Sequence, residues 1–295
     1  MNSRIFFNDL TVIDFSVISP TGMIHGSSAT LNLQVSGPVD GHEGVVIDFS
    51  AGKKRIKELI DGVGGFDHKC WVNVNDPNII ITQDVPNSRV TVTHATSGLS
   101  LTAEEDAFSW VQDYYGVTDI TNFLNSKLAP YIVSDVTLNT SVIPVPHTSL
   151  TPVIFHYVHG LKYSSSYGCK NIAHGHKSFI TAQLAPHSGV DQVVAQRVIE
   201  NIAATLDHTV FVDVEDLVPV TVTNTTPQFV VEYTTAERGR MTMSFTQKII
   251  VLETQTTVEH LIEYIRARYY DQLKAAGIVE LFVSEGLCKG ASVTL

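Results

Sequence analysis

Tyr167-Gly-Cys-Lys-Asn-Ile-Ala-His-Gly-His-Lys-Ser-Phe-Ile-Thr181 carries the densest chemistry in the chain. From Lys177 to Leu184 polar and apolar residues alternate, the period-two signature of a strand. Extended backbone puts residues i and i+2 on one face, so His174 and His176 point the same way. Gly175 between them adds no side chain to the opposite face. Two same-facing imidazoles make half of a zinc site, and a catalytic zinc takes three protein ligands with one position open. His159, closing Phe155-His-Tyr-Val-His159 on the preceding strand, is the third candidate. Cys169 lies five residues before His174, in a Gly- and Ser-rich loop where a thiol is free to react. A His-x-His pair alone is a weak signal. A third His and a Cys just upstream strengthen it, and Leu206-Asp207-His208 adds an acid beside a base.

Composition narrows the class. Across 295 residues, 44% are apolar and 17% charged, a globular balance with room for two domains. The net charge of −11 argues against nucleic-acid and anionic-membrane partners, which need clustered Lys and Arg. Three cysteines without framework spacing suggest a reducing compartment. The start, Met1-Asn-Ser-Arg-Ile-Phe-Phe-Asn-Asp9, lacks a signal-peptide apolar region, and no run reaches a membrane span. A soluble, cytoplasmic protein is expected.

The chain repeats itself. Phe15-Ser-Val-Ile-Ser19 parallels Phe155–His159, and His25-Gly-Ser27 parallels His174-Gly-His176. Phe66-Asp67-His68 parallels Leu206-Asp207-His208. Two copies are therefore expected, residues 1–145 and 146–295, each with the order strand, strand, helix, insertion, helix, strand. The first helices are predicted over Ser50–Val63, with Ile56, Leu59, Ile60 and Val63 on one face, and over Asp191–Leu206, with Val194, Val198, Ile199 and Ile202. Asp48, in Gly44-Val-Val-Ile-Asp-Phe49, is read as a helix cap, and Asp191, in Gly189-Val-Asp191, keeps a similar place. The second helices start near Thr118 and Thr257. Each insertion reads as a β-hairpin, Arg89–Thr102 turning near Ser97-Gly98 and Phe229–Phe245 turning near Arg238-Gly239. The hairpins are expected to extend the sheets or their oligomer contacts, with Arg238 and Arg240 read as solvated turn residues in preference to phosphate ligands. Three prolines in Ser141–Pro152 mark an extended linker. Cys70 is read as core and Cys288 as idle, and His156, His187 and His260 as facing solvent or core.

In combination, Phe155-x3-His159, Cys169-x4-His174-Gly-His176, Leu206-Asp207-His208, Thr257-x-Glu259 and Ser284-Glu285-Gly286 resemble the 6-pyruvoyltetrahydropterin synthase and 6-carboxytetrahydropterin synthase family. The resemblance implies an α+β T-fold in each copy, an antiparallel sheet with two helices on one face. It implies zinc on His159, His174 and His176, Cys169 as general base, and an Asp–His pair relaying protons. Glu285 would anchor the pterin, with Thr257 and Glu259 supporting the ring. The implied reaction turns dihydroneopterin triphosphate into 6-carboxytetrahydropterin, a deazapurine precursor, with loss of triphosphate and acetaldehyde. The pyruvoyl product is the alternative within the family, because the Cys169–His174 spacing does not choose between them. A non-catalytic pterin- or purine-binding protein is the alternative outside it.

The first copy has Ser19, His25 and Ser27 where the second has three His, and Asn139 in place of Glu285. It is expected to bind no metal there, giving one zinc per chain. It keeps Asp67-His68, however. In similar synthases a neighbouring subunit supplies the Asp–His pair. If the copies alternate around a barrel in a homo-oligomer, Asp67-His68 serves the zinc site and Asp207-His208 faces the degenerate one. If they stack as separate rings, Asp207-His208 serves instead. Survival of Asp67-His68 in a stripped copy favours alternation.

Overall fold

The computed structural model describes residues 2–40, 45–142, 145, 148–186, 189, 191–219 and 228–295. Gly44 of the Gly44–Phe49 motif, His187, Val190 and linker residues 143, 144, 146 and 147 lie outside the described residues. The first half runs β1 (Asn2–Phe7), β2 (Val12–Ile18), β3 (Ile24–Pro38), α1 (Phe49–Asp61), β4 (Lys69–Asn73), β5 (Ile79–Asp84), β6 (Arg89–His94), β7 (Ser100–Glu104), β8 (Phe108–Val111), α2 (Val117–Lys127) and β9 (Ile132–Asn139). The second runs β10 (Val153–His159), β11 (His174–Leu184), α3 (Gln192–Leu206), β12 (Thr209–Asp213), β13 (Leu217–Val218), β14 (Phe229–Thr235), β15 (Gly239–Phe245), β16 (Ile249–Leu252), α4 (Val258–Ala275), β17 (Ile278–Glu285) and β18 (Lys289–Thr294).

Local chemistry explains the helix starts. The Asp48 carboxylate accepts from Ala51 N–H at 2.7 Å and that of Asp191 from Val193 N–H at 2.8 Å, satisfying donors the first turn leaves free. Two stripes differ from the pattern. Val63 lies past the end of α1 and is exposed. In α3 the buried face is Ala195, Ile199, Ile202 and Leu206, leaving Val194 in solvent. The 3.6 period fits either face, and the small Ala195 lets the helix seat against the sheet.

Each half builds its own sheet. In the first, β3 pairs antiparallel with β2 along Ile24–Thr30, with β1 along Leu33–Pro38, and with β9 on the other edge. In the second, β10, β11, β17 and β18 pair antiparallel in turn. The insertions add strands: β4 and β8 run parallel beside β2, and β12 and β16 parallel beside β10. Helices α1 and α2 share an apolar core with the first sheet, α3 and α4 with the second. This is the two-helix, one-face layout that the resemblance implied.

The hairpins do not extend those sheets. They join each other, β15 pairing antiparallel with β7 to give a third, bridging sheet in the order β13-β14-β15-β7-β6-β5. An apolar core under it draws on both halves, from Ile24 and Cys70 to Val158, Val210 and Met241. Cys70 is fully buried there, and burial pushes its thiol up to about 12.

Candidate active site

Register brings the three His together. In the β10–β11 ladder His159 pairs with His174, and His176 sits two residues further along, opposite Tyr157. The rings lie 4.4 to 5.2 Å apart, centroid to centroid, and all three are buried. The outer nitrogens face oxygens. His159 Nδ1 donates to Thr256 O at 2.8 Å, His174 Nδ1 donates to Asn171 O at 2.9 Å, and His176 Nδ1 stands 3.2 Å from Asp14 Oδ1. Carbonyls only accept, so the ring protons of His159 and His174 sit on Nδ1 and their Nε2 lone pairs point inward; His176 Nδ1 makes no hydrogen bond.

The inner nitrogens then have a problem that a hydrogen bond does not solve. His159 Nε2 and His176 Nε2 are 3.0 Å apart, His174 Nε2 has no partner, and one nitrogen from each ring falls within 4.8 Å of the others. One proton satisfies at most one pair, whereas a cation satisfies all three. Burial, reinforced by the neighbouring His176, lowers His159 to about 3; burial and its neighbours hold His174 well below the usual histidine value. Both rings are neutral, the form that ligates metal. The outer-nitrogen contacts are those that fix ligating imidazoles. These residues fit zinc.

Across the junction, the first half supplies a dyad. His68 Nδ1 lies 2.7 Å from Asp67 Oδ2, and Asp67 Oδ1 accepts from Asp14 N–H at 2.8 Å. His68 N–H donates to Asp14 O at 2.6 Å, holding a left-handed backbone (φ 54°) that non-glycine residues seldom adopt. One nitrogen of His68, Cys169 Sγ and one nitrogen of His174 lie within 4.8 Å of one another. Burial opposes charge on His68, but Asp67 and Cys169 outweigh it and raise the ring to about 11. Burial likewise opposes the Cys169 thiolate, and His68 more than compensates, holding the thiol below its ordinary value. Asp207 and His208 go elsewhere. Asp207 Oδ1 accepts from His156 N–H at 2.8 Å, and His208 Nδ1 meets His25 Nδ1 at 2.9 Å.

A cleft of about 410 Å³ opens beside the dyad, lined from the first half by Asp14, Lys57, Asp61, Asp67 and His68, and from the second by Glu285, Cys288 and Lys289. Glu285 Oε1 is 4.0 Å from His176 Nε2, and its other oxygen is 3.3 Å from Lys289 Nζ. Burial, then the neighbouring Asp67, raises Asp61 to about 6. Thr257 and Glu259 do not line this cleft. The Thr257 hydroxyl caps α4, accepting from His260 N–H at 3.4 Å, and Glu259 is exposed. A larger hollow of about 580 Å³, along Phe66, Trp110 and Phe123, contains none of the His cluster.

The bridging sheet grips the cysteine loop. Arg238 is buried, contrary to the solvated turn residue expected. Its Nε donates to Tyr167 O at 2.8 Å, its guanidinium stacks 3.9 Å from the Tyr167 ring, and Nη1 bonds Glu104 of the first half. Tyr233 Oη donates to Lys170 O at 3.1 Å, and Lys170 Nζ pairs with Glu237 at 2.6 Å. Arg240 is exposed and pairs with Glu232. Sequence reading missed Asp14, Asn171, Thr256 and Lys289. Asp14 left a signal: a carboxylate within the apolar run Val12-Ile-Asp-Phe15 needs a partner if buried.

No protein-family model matches this chain, and no curated protein matches it. Among solved structures, it is similar to a catalytic-residue mutant of 6-pyruvoyltetrahydropterin synthase from Plasmodium vivax at 16% identity, covering 48% of this chain and 93% of that one with a TM-score of 0.37. The Plasmodium falciparum 6-pyruvoyl tetrahydropterin synthase is similar at 18% identity, with 48% and 93% coverage and a TM-score of 0.36. An uncharacterized protein from Wolinella succinogenes is similar at 14% identity, with 49% and 95% coverage and a TM-score of 0.30.

Proposed function

We propose that this chain is a zinc-dependent lyase that converts 7,8-dihydroneopterin triphosphate and water to 6-carboxytetrahydropterin, triphosphate and acetaldehyde. The observation that carries the reading is the set of three buried imidazoles, one nitrogen of each within 4.8 Å of the others, beside Cys169 and its His68–Asp67 partners. His159, His174 and His176 would hold the zinc, which when bound polarises side-chain oxygens and lowers the pKa of hydroxyls. Cys169, as thiolate, takes the proton from a side-chain carbon. His68 holds a proton to return, and Asp67 fixes its orientation and favours its charged form. Glu285 accepts from the amino-pyrimidine edge of the pterin, at the cleft wall where Lys289 keeps the carboxylate company.

On this reading residues 1–145 form a degenerate copy that lends its dyad, and residues 146–295 carry the metal ligands, thiol and anchor. The protein works as a soluble, cytoplasmic homo-oligomer on a small pterin, without nucleic-acid or membrane partners. Among the described residues no helix is long and apolar enough to cross a membrane. Incubating zinc-loaded protein with dihydroneopterin triphosphate and identifying products by mass tests the reaction. Acetaldehyde with the carboxy product supports it, and 6-pyruvoyltetrahydropterin redirects it to the sister reaction. Bound but unchanged substrate would establish a binding protein instead.

A further inference from the structure

We infer that Lys289 is a specificity residue that donates to the 4-oxo group of a 2-amino-4-oxopyrimidine ring held by Glu285. The inference rests on the pterin reading above and names how that ring is told from its analogues. The edge of such a ring presents a 2-amino N–H, the N3–H and the 4-oxo oxygen side by side. A carboxylate only accepts, so Glu285 takes the N–H groups and has nothing to offer the carbonyl. The group beside the carboxylate must therefore donate. Lys289 Nζ stands there, 3.3 Å from Glu285 Oε2. Carboxylate and ammonium together present acceptors and a donor in the order that this edge requires.

The backbone fixes this pair. Glu285 ends β17 and Lys289 begins β18, and the antiparallel register sets them directly opposite each other. Directly opposed side chains share one face of a sheet. The turn between them is pinned on both sides. Leu287 is fully buried, and Gly286 holds a left-handed φ of 71° against the first half, where a Cβ would stand 2.7 Å from Asp14 Oδ1. Glu285 and Lys289 then line the same cleft of about 410 Å³, an ordinary size for a small-molecule site. Lys289 also has donors to spare. An ammonium carries three N–H groups. Its contacts, 3.3 Å to Glu285 and 3.8 Å to Asp14 Oδ2, are both longer than the about 2.7–2.9 Å of a closed charge-assisted hydrogen bond. The ammonium spans carboxylates from opposite halves without closing on either, and its side chain is 54% exposed at the cleft wall. A site built to hydrogen-bond a substrate group discriminates against an analogue that lacks it.

The test is a binding cycle, read by calorimetry on the intact chain with matched zinc content. The probes are 7,8-dihydroneopterin and its 4-thioxo analogue, neither of which carries the triphosphate leaving group. The analogue keeps both N–H donors and offers sulfur, a weak acceptor, in place of the 4-oxo oxygen. Wild type should bind the oxo ring about tenfold or more tighter than the thioxo ring, as expected for a hydrogen bond from a charged donor. Lys289→Met should bind the oxo ring correspondingly more weakly and show little preference between the two, so that the two losses do not add. Equal preference in wild type and Lys289→Met, or none in wild type, overturns the role of Lys289 and leaves the pterin site standing. Failure of wild type to bind dihydroneopterin at all overturns the pterin reading, and this inference with it.

Discussion

Gly26 and Gly175 lie back to back where the two main sheets meet. A Cβ on Gly175 would stand 2.4 Å from Gly26 Cα, and one on Gly26 would stand 1.8 Å from Tyr157 O and 2.6 Å from His176 N. The atoms in the way are backbone, which cannot swing aside. Close approach of the halves here carries Asp14 to His176 and His68 to the Cys169 loop. Gly26→Ala should therefore destabilise the protein by about 3 kcal/mol, at the upper end of overpacking costs. Urea unfolding measures it. A variant as stable as wild type would mean that the sheets do not press together at this point.

The Cys169–His68 pair makes a signed pH prediction. His68 is raised from 6.5 to about 11, so its contribution to stability is full below pH 6.5 and is lost as pH rises through about 11. Cys169 is lowered from 9.0, so its contribution is present above 9.0 and is lost as pH falls through the folded value. The ion pair spans the interval between the folded values. Alkylation of Cys169 by iodoacetamide should follow an apparent pKa below 9.0, and His68→Gln should move it upward. An unchanged profile in His68→Gln would remove His68 as the activating partner.

Which dyad serves the histidine cluster is open to a direct comparison. His68→Ala should lower turnover at least 100-fold with zinc retained, within the range for lost general acid–base catalysis. His208→Ala should cost far less, because its ring faces His25 rather than Cys169. Turnover assays with zinc content checked decide between them, and the reverse ranking would hand the role to Asp207-His208.

Much of this architecture was legible because it is periodic. The alternation after Lys177, the helix stripes and the repeated Asp-His pairs each report a local rule. The strand register that sets His159 opposite His174 is not among them. What could not be read is how the halves meet. Two glycines at repeat-equivalent places, Gly26 and Gly175, look like turn or spacing residues until their backbones are seen in contact. Arg238 looked like a solvated turn residue because nothing local to β14 and β15 reveals Glu104, which lies on the other half's hairpin. His156 reads as facing solvent or core for the same reason: its partner Asp207 is distant in sequence.

Arg238 gives a prediction about catalysis rather than about folding alone. Arg238→Lys keeps a positive charge facing Glu104 but loses the planar fork that holds Tyr167 O. The Cys169 loop should loosen, and kcat should fall about tenfold from misplacement of the thiol. KM and zinc content should change little. A loss confined to thermal stability would make Arg238 a packing residue only.

Asp14 is the residue through which the first half touches the His159–His174–His176 cluster most directly. Burial opposes its charge, but His176 and the Ser28 hydroxyl, donating at 2.5 Å, hold the carboxyl well below the ordinary value of 3.8. A depressed folded value means that its contribution to stability is present above pH 3.8 and is lost as pH falls further. The carboxylate stands 3.2 Å from His176 Nδ1 and, with a metal on Nε2, would hold the ring proton on Nδ1. An amide offers a donor as readily as an acceptor, so Asp14→Asn removes that choice of tautomer. Loss of such an outer partner typically costs 10- to 100-fold in metal affinity, and the same loss is expected here. Competition against a zinc chelator measures it, with circular dichroism confirming the fold. Wild-type affinity in a folded Asp14→Asn protein would show that the His176 tautomer is set without this carboxylate.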